Sequence, residues 1–145
     1  MRRVDFYRVG EDGVAPVLFR IATRILDGGG RLLVVAEDEA LAAALDRALW
    51  EQEPASFLPH ARAGADDAGQ PLLIAPTCAA SNGARHVALA DGVWRGEALA
   101  FDRAFLLFGE AGVEAARIAW REVKAADGVE PHFWAQDDGR WREIA

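Results

Sequence analysis

"RLLVVAEDEALAAALDRALW", Arg31 to Trp50, decides the architecture. Its first six residues are almost wholly apolar, the composition of a strand covered on both faces. The remainder is an amphipathic helix. Asp38 is placed to cap it, and Leu41, Leu45 and Leu49 recur at helical spacing as a buried stripe. Trp50 does not join that stripe. Measured around the helix it falls with Ala43, Asp46 and Arg47, on the side where a core residue does not belong.

The same alternation continues in both directions. Upstream, "VDFYRV" (Val4–Val9) has the aromatic and β-branched content of a strand. After it, "VLFRIATRIL" carries Leu18, Ile21 and Ile25 on one helical face, with Pro16 suited to a first turn. Asp27-Gly28-Gly29-Gly30 stops that helix, since glycine accepts the left-handed turn at a helix C-terminus. Downstream, Glu51 to Gln70 reads as loop, and "PLLIAP", "HVALAD" and "RAFLLFG" read as three further strands. "EAGVEAARIAWREVKAAD" is a final helix. "EPHFWAQDDGRWREIA" alternates aromatics about Asp138-Gly139, a hairpin signal. Strands and helices in alternation, with strands this apolar, predict one three-layer α/β/α domain over residues 1–145, built on a mainly parallel sheet of roughly five strands.

Bulk properties narrow the function. A chain of 145 residues is one domain's length, and 52% hydrophobic with 27% charged is a globular composition. The net charge of −7 argues against direct binding to a nucleic-acid backbone, which depends on lysine and arginine neutralising phosphates. Cys78 is the single cysteine, so no internal disulfide forms. No apolar run is long enough for a bilayer, and no secretion signal follows Met1, so a cytoplasmic location is expected.

Catalytic patterns are weak. "GGGR" is not G-x-G-x-x-G and precedes a strand, and no P-loop is present. Cys78 follows a strand in "TCAASNG", where a nucleophile could sit, yet no spacing pairs it with His60, His86 or His132. Those histidines also lack the intervals of a metal site. The acids Glu37, Asp38 and Glu39 are explained by the helix dipole. No cofactor and no metal are expected. A nucleotide-dependent hydrolase on an α/β scaffold, using Cys78 or a strand-end acid, is the alternative reading.

Two surfaces suggest docking instead. On the last helix, Val113, Ala116, Trp120 and Val123 form one stripe, and Arg117, Arg121 and Lys124 line up beside it. Arginine forks hold carboxylates well, so this strip suits an acidic peptide with an apolar side chain lodged near Trp120. The competing reading is a solvated face with intrahelical pairs from Glu114. The second surface joins Trp50 to Phe57 in "EPASFLPH", where Pro54 and Pro59 stiffen the loop. Rigidly held aromatics make good interface anchors. Against this, Phe57 could fold back to cover Trp50.

"VDFYRV", "RLLVVAEDEALAAALDRALWEQEPASFLPH" and "AWREVKAADGVEPHFWAQDDGRW" together resemble the chi subunit of bacterial DNA polymerase III holoenzyme. The likeness runs nearly end to end and is thinnest between Ala61 and Ala100. It implies a three-layer α/β/α fold and a non-catalytic accessory of the clamp loader. It further implies binding to the acidic C-terminal tail of single-stranded DNA-binding protein, and to a psi subunit or a helicase-like competitor for the same surface. Arg117 and Trp120 match a family arginine and aromatic of the tail-binding region. Arg121 is the next basic position, and Phe108 matches an apolar residue of the same pocket. Trp50 and Phe57 match the psi-facing segment. One departure stands out: where the family carries a lysine one turn before Arg117, this chain has Val113, and Lys124 is the candidate replacement.

Overall fold

The computed structural model describes residues 2–51, 59–64, 67–137 and 139–145. The chain runs β1 (Arg2–Arg8), α1 (Val14–Asp27), β2 (Leu32–Val35), α2 (Glu39–Glu51), β3 (Ala61–Arg62), β4 (Leu72–Ala75) and β5 (His86–Leu89). It continues through β6 (Arg103–Phe108), α3 (Val113–Ala125), β7 (Val129–Asp137) and β8 (Arg140–Glu143). The strands form one sheet in the order β3-β4-β2-β5-β6-β1-β7-β8. Every adjacent pair is parallel except β7 with β8.

The α/β class holds, but among the described residues the sheet has eight strands and not five. The five strands read from the sequence are β1, β2, β4, β5 and β6. Strand β3 covers two residues, too few for any alternation to show. The C-terminal hairpin is present as β7 and β8, and it extends the same sheet, with β7 in register along the whole of β1. A hairpin signal reports a local turn and says nothing about which strand the hairpin joins.

Topology explains the layering. The connections β1→β2 and β2→β4 both run toward the β3 edge, whereas β5→β6 and β6→β7 run toward the β8 edge. Crossovers between parallel strands keep one hand, so opposite directions of travel place their connections on opposite faces. Accordingly α1 and α2 cover one face, with Leu18, Ala22, Leu45 and Leu49 over Leu32, Val34, Leu72 and Ile74. Helix α3 covers the other, with Ala116, Ala119 and Val123 over Val4, Phe6, Leu106 and Phe108. Strands β2 and β4 are buried along their full length because both faces are covered there.

Local signals behave as their chemistry predicts. Asp38 Oδ2 accepts from the Leu41 backbone N–H at 3.2 Å, the N-cap of α2. After α1 the left-handed residue is Gly29, with φ of 82°. Gly30 sits in a crowded place: a Cβ there would lie 3.0 Å from Ile25 Cγ2 and 3.2 Å from the Ile25 carbonyl, so Ile25 would have to shift.

An acid lies inside β1. Asp5 is fully buried and accepts from Arg3 at 2.9 Å, from Arg103 Nε on β6 at 2.8 Å and from the Trp134 indole on β7 at 2.9 Å. Burial alone would raise its pKa. The donors from Arg3, Arg103 and Trp134 outweigh that and hold the carboxyl below its ordinary range. One ionised side chain thereby ties together three neighbouring strands.

Candidate functional site

Helix α3 is amphipathic in a way that leaves a cationic ridge. Ala116, Ala119 and Val123 are buried, and Val113 and Trp120 are partly buried beside them. Ala119 was not on the stripe read from the sequence; its small side chain lets the helix sit close to the sheet. Trp120 rests edge-on against Phe6, with ring centroids 5.2 Å apart, and against Phe133 at 6.0 Å. The indole is thus fixed by an aromatic cluster beneath it, with its outer part at the surface. Phe108 belongs to that cluster from below. It is buried and meets Phe133 at 5.8 Å, so it supports the site from underneath and offers a ligand no face of its own.

The three cations differ. Arg117 donates to Glu114 Oε1 at 2.8 Å, an i,i+3 pair with both side chains well exposed. Such a surface pair is worth well under about 1 kcal/mol and yields readily to a stronger partner. Arg121 and Lys124 are exposed, and among the described residues they form no ion pair. For Arg121 the sequence explains this. Arg121 has Arg117, Ile118, Lys124 and Ala125 at the i±3 and i±4 positions, none of them acidic. The one acid adjoining Arg121, Glu122, turns away and accepts from the Trp94 indole.

Ile118 is the residue that the helical pattern did not bring forward. It is 65% exposed on α3, among the few large hydrophobics so open to solvent. At about 100° per residue the cationic ridge runs between Trp120 on one side and Ile118 on the other. Exposed isoleucine on an otherwise charged helix was the available signal. The hollows over α1 and beside Cys78 do not border α3.

The second surface is partly visible. Leu45, Leu49 and Ala42 are buried on α2, whereas Trp50 is 47% exposed, as its position around the helix requires. Its ring lies against His60 with centroids 4.3 Å apart. His60 is itself buried, with Nε2 at 3.2 Å from the Asp46 carbonyl oxygen and 3.1 Å from Asp46 Oδ1. An indole seated on a buried imidazole is a firm base for a contact. Phe57 and Pro54 lie outside the described residues.

The residues considered for catalysis are dispersed. Cys78 is half-buried, and burial pushes its thiol up despite Arg95 nearby, which leaves it a poor nucleophile. His86 opens β5, His132 lies on β7 against Glu130 and Glu143, and His60 sits beside α2. Among the described residues no three acids, histidines or cysteines converge as metal ligands, and no helix is long and apolar enough to cross a membrane.

Comparison with known proteins gives this fold a family. DNA polymerase III subunit chi of Escherichia coli (strain K12) is 35% identical over 83 residues, which is 52% of this chain and 56% of the relative. The matched segment therefore spans little more than half of that relative's length. The family model described as DNA polymerase III chi subunit, HolC, matches residues 1–131, which take in β1 to β6, the start of β7 and the whole of α3. The chain belongs to the DNA polymerase III chi subunit family.

Proposed function

We propose that this chain is a non-catalytic accessory subunit of the DNA polymerase III clamp-loader complex. In this reading it tethers the replicase to coated single-stranded DNA in the cytoplasm. The ridge of α3 takes the acidic C-terminal tail of single-stranded DNA-binding protein. Arg121 and Lys124 meet carboxylates, Arg117 exchanges Glu114 for one, and Trp120 and Ile118 flank the tail's apolar side chains. Val113 supplies no charge at the family's lysine position, and Lys124 carries that part.

The observation that supports this most is the pair Arg121 and Lys124. Both are exposed with no ion pair among the described residues, on the helix that the family match covers in full. It also resolves the charge problem of an acidic chain working near DNA. A protein of net charge −7 reaches the strand through a partner's negative tail, held by a local cationic patch. Trp50 and Phe57 form the second docking surface, for a psi-type subunit or a helicase-like competitor.

The test uses single-stranded DNA-binding protein immobilised with and without its C-terminal tail. The chain is expected to bind the intact protein, to lose most of that binding as salt rises, and to ignore the tail-less form. Equal binding to both forms would remove the proposal.

A further inference from the structure

A cationic hollow of the described surface lies away from α3. It lies across the sheet, between α1 and the strands β6, β1, β7 and β8. Two abutting cavities of about 280 Å³ and 390 Å³ share Tyr7, Ile21, Arg24 and Arg103 as walls, which makes them one cleft. The family reading assigns nothing to it.

Four arginines serve this cleft. Arg3 and Arg103 rise from its floor, and Arg20 and Arg24 descend from α1. No aspartate or glutamate lines either cavity. Beneath the floor, Asp5 offers one carboxylate to the two guanidiniums of Arg3 and Arg103, and Glu130 adds a weaker attraction for Arg3. Arg20 and Arg24 are exposed and form no ion pair among the described residues. The cleft is thus positive within a chain of net charge −7. Its two floor arginines are already held in place by buried Asp5, so a ligand would spend little on ordering them.

We propose that this cleft is a docking site for a second acidic peptide segment, one whose carboxylates are spaced by apolar side chains, distinct from the segment taken by α3. Guanidinium forks match carboxylates and phosphates alike, so the ring geometry decides between peptide and nucleic acid. Single strands bind through bases stacked on open aromatic faces. Here Tyr7 is stacked on Trp134, with centroids 6.1 Å apart and rings within 10° of parallel, and Trp141 meets its edge at 5.2 Å. Phe105 lies under the Arg103 guanidinium at 4.8 Å. The rings are turned on one another, while α1 contributes the aliphatic walls of Val17, Ile21 and Ile25. Aliphatic walls between arginines suit leucine or isoleucine between aspartates.

The experiment titrates a short peptide of alternating aspartate and leucine into the full chain, followed by amide and indole chemical shifts. Oligothymidylate serves as the competing probe. Two double variants are compared, Arg20→Glu with Arg24→Glu, and Arg121→Glu with Lys124→Glu. All four positions are exposed, and circular dichroism verifies folding. The expected result is shifts at Tyr7 and the Trp134 indole, with affinity about tenfold or more weaker in the α1 variant, the loss of a charge-assisted hydrogen bond. These cleft shifts persist in the α3 variant. The proposal is overturned by no binding to the wild type, by equal affinity for wild type and the α1 variant, or by shifts confined to α3. It is also overturned if oligothymidylate binds the cleft more tightly than the peptide. The reading of α3 is tested separately, by the affinity of the tail of single-stranded DNA-binding protein for the other double variant.

Discussion

Replacing Asp5 with asparagine removes the single charge shared by β1, β6 and β7. The carboxylate is fully buried, and its three donors come from three different strands. Asparagine fits the volume but turns an NH2 toward donors, so at least one guanidinium loses its acceptor. Breaking a buried ion pair by removing one partner costs about 3–5 kcal/mol. Arg3 and Arg103 are each about one-third exposed and recover part of that by turning to water, which lowers the loss to about 2–3 kcal/mol. For a chain of this size that is roughly 6–12 °C in Tm. Urea unfolding followed by circular dichroism measures it, with an unchanged slope confirming that the folded state is otherwise the same. A loss below about 0.5 kcal/mol, the scale of an ordinary surface substitution, would refute the view that Asp5 ties the three strands together.

Acid unfolding follows from the same site. Asp5, and at a separate site Asp91, which accepts from Arg95 at 2.8 Å, are both held below their ordinary 3.8 against the opposing effect of burial, so their stabilisation is present above that value and is lost as pH falls toward the folded-state pKa. Stability should decline steeply below about pH 4, and Asp5→Asn should flatten the decline. His86 is pushed down, first by burial and then by Arg103, so its protonation in the unfolded chain starts a gentler loss below 6.5. His86→Gln should remove that shoulder from the stability profile. Trp50→Ala should cost no more than about 1 kcal/mol, since the side chain is 47% exposed, while weakening capture of a psi-type partner severalfold. Cooperative unfolding lost in that variant would make Trp50 a core residue.

The sequence made most of the frame legible because hydrophobic period reports burial. Strand β2, closed on both faces, and α2, with its leucine stripe, were readable from Arg31–Trp50 alone, as was the exposed place of Trp50. Two things were not. Strand β3 is too short to have a period, and the partner of the C-terminal hairpin is a long-range choice that local turn chemistry does not encode. Asp5 shows the limit from the other side. It sits in a strand that alternates correctly, and only the register placing Arg103 and Trp134 on its face reveals why an acid is tolerated there. On α3 the arginines could be aligned from spacing. That Arg117 pairs with Glu114 while Arg121 does not follows from the i±3 and i±4 neighbours, which were also there to be read; Lys124 has Asp127 at i+3, but that acid lies past the end of the helix at Ala125. The α1 cleft assembles residues from α1 and five strands, and no linear pattern foreshadows it.

The most direct measurement is the affinity of a labelled C-terminal tail peptide of single-stranded DNA-binding protein for the wild type and for Arg121→Glu with Lys124→Glu. Fluorescence anisotropy at low and at moderate salt gives both constants. At least about a tenfold loss is expected in the double variant, with a smaller loss for Arg117→Glu and a wild-type affinity that falls with salt. Unchanged affinity in the double variant, with the fold intact, would contradict the docking of the tail on α3.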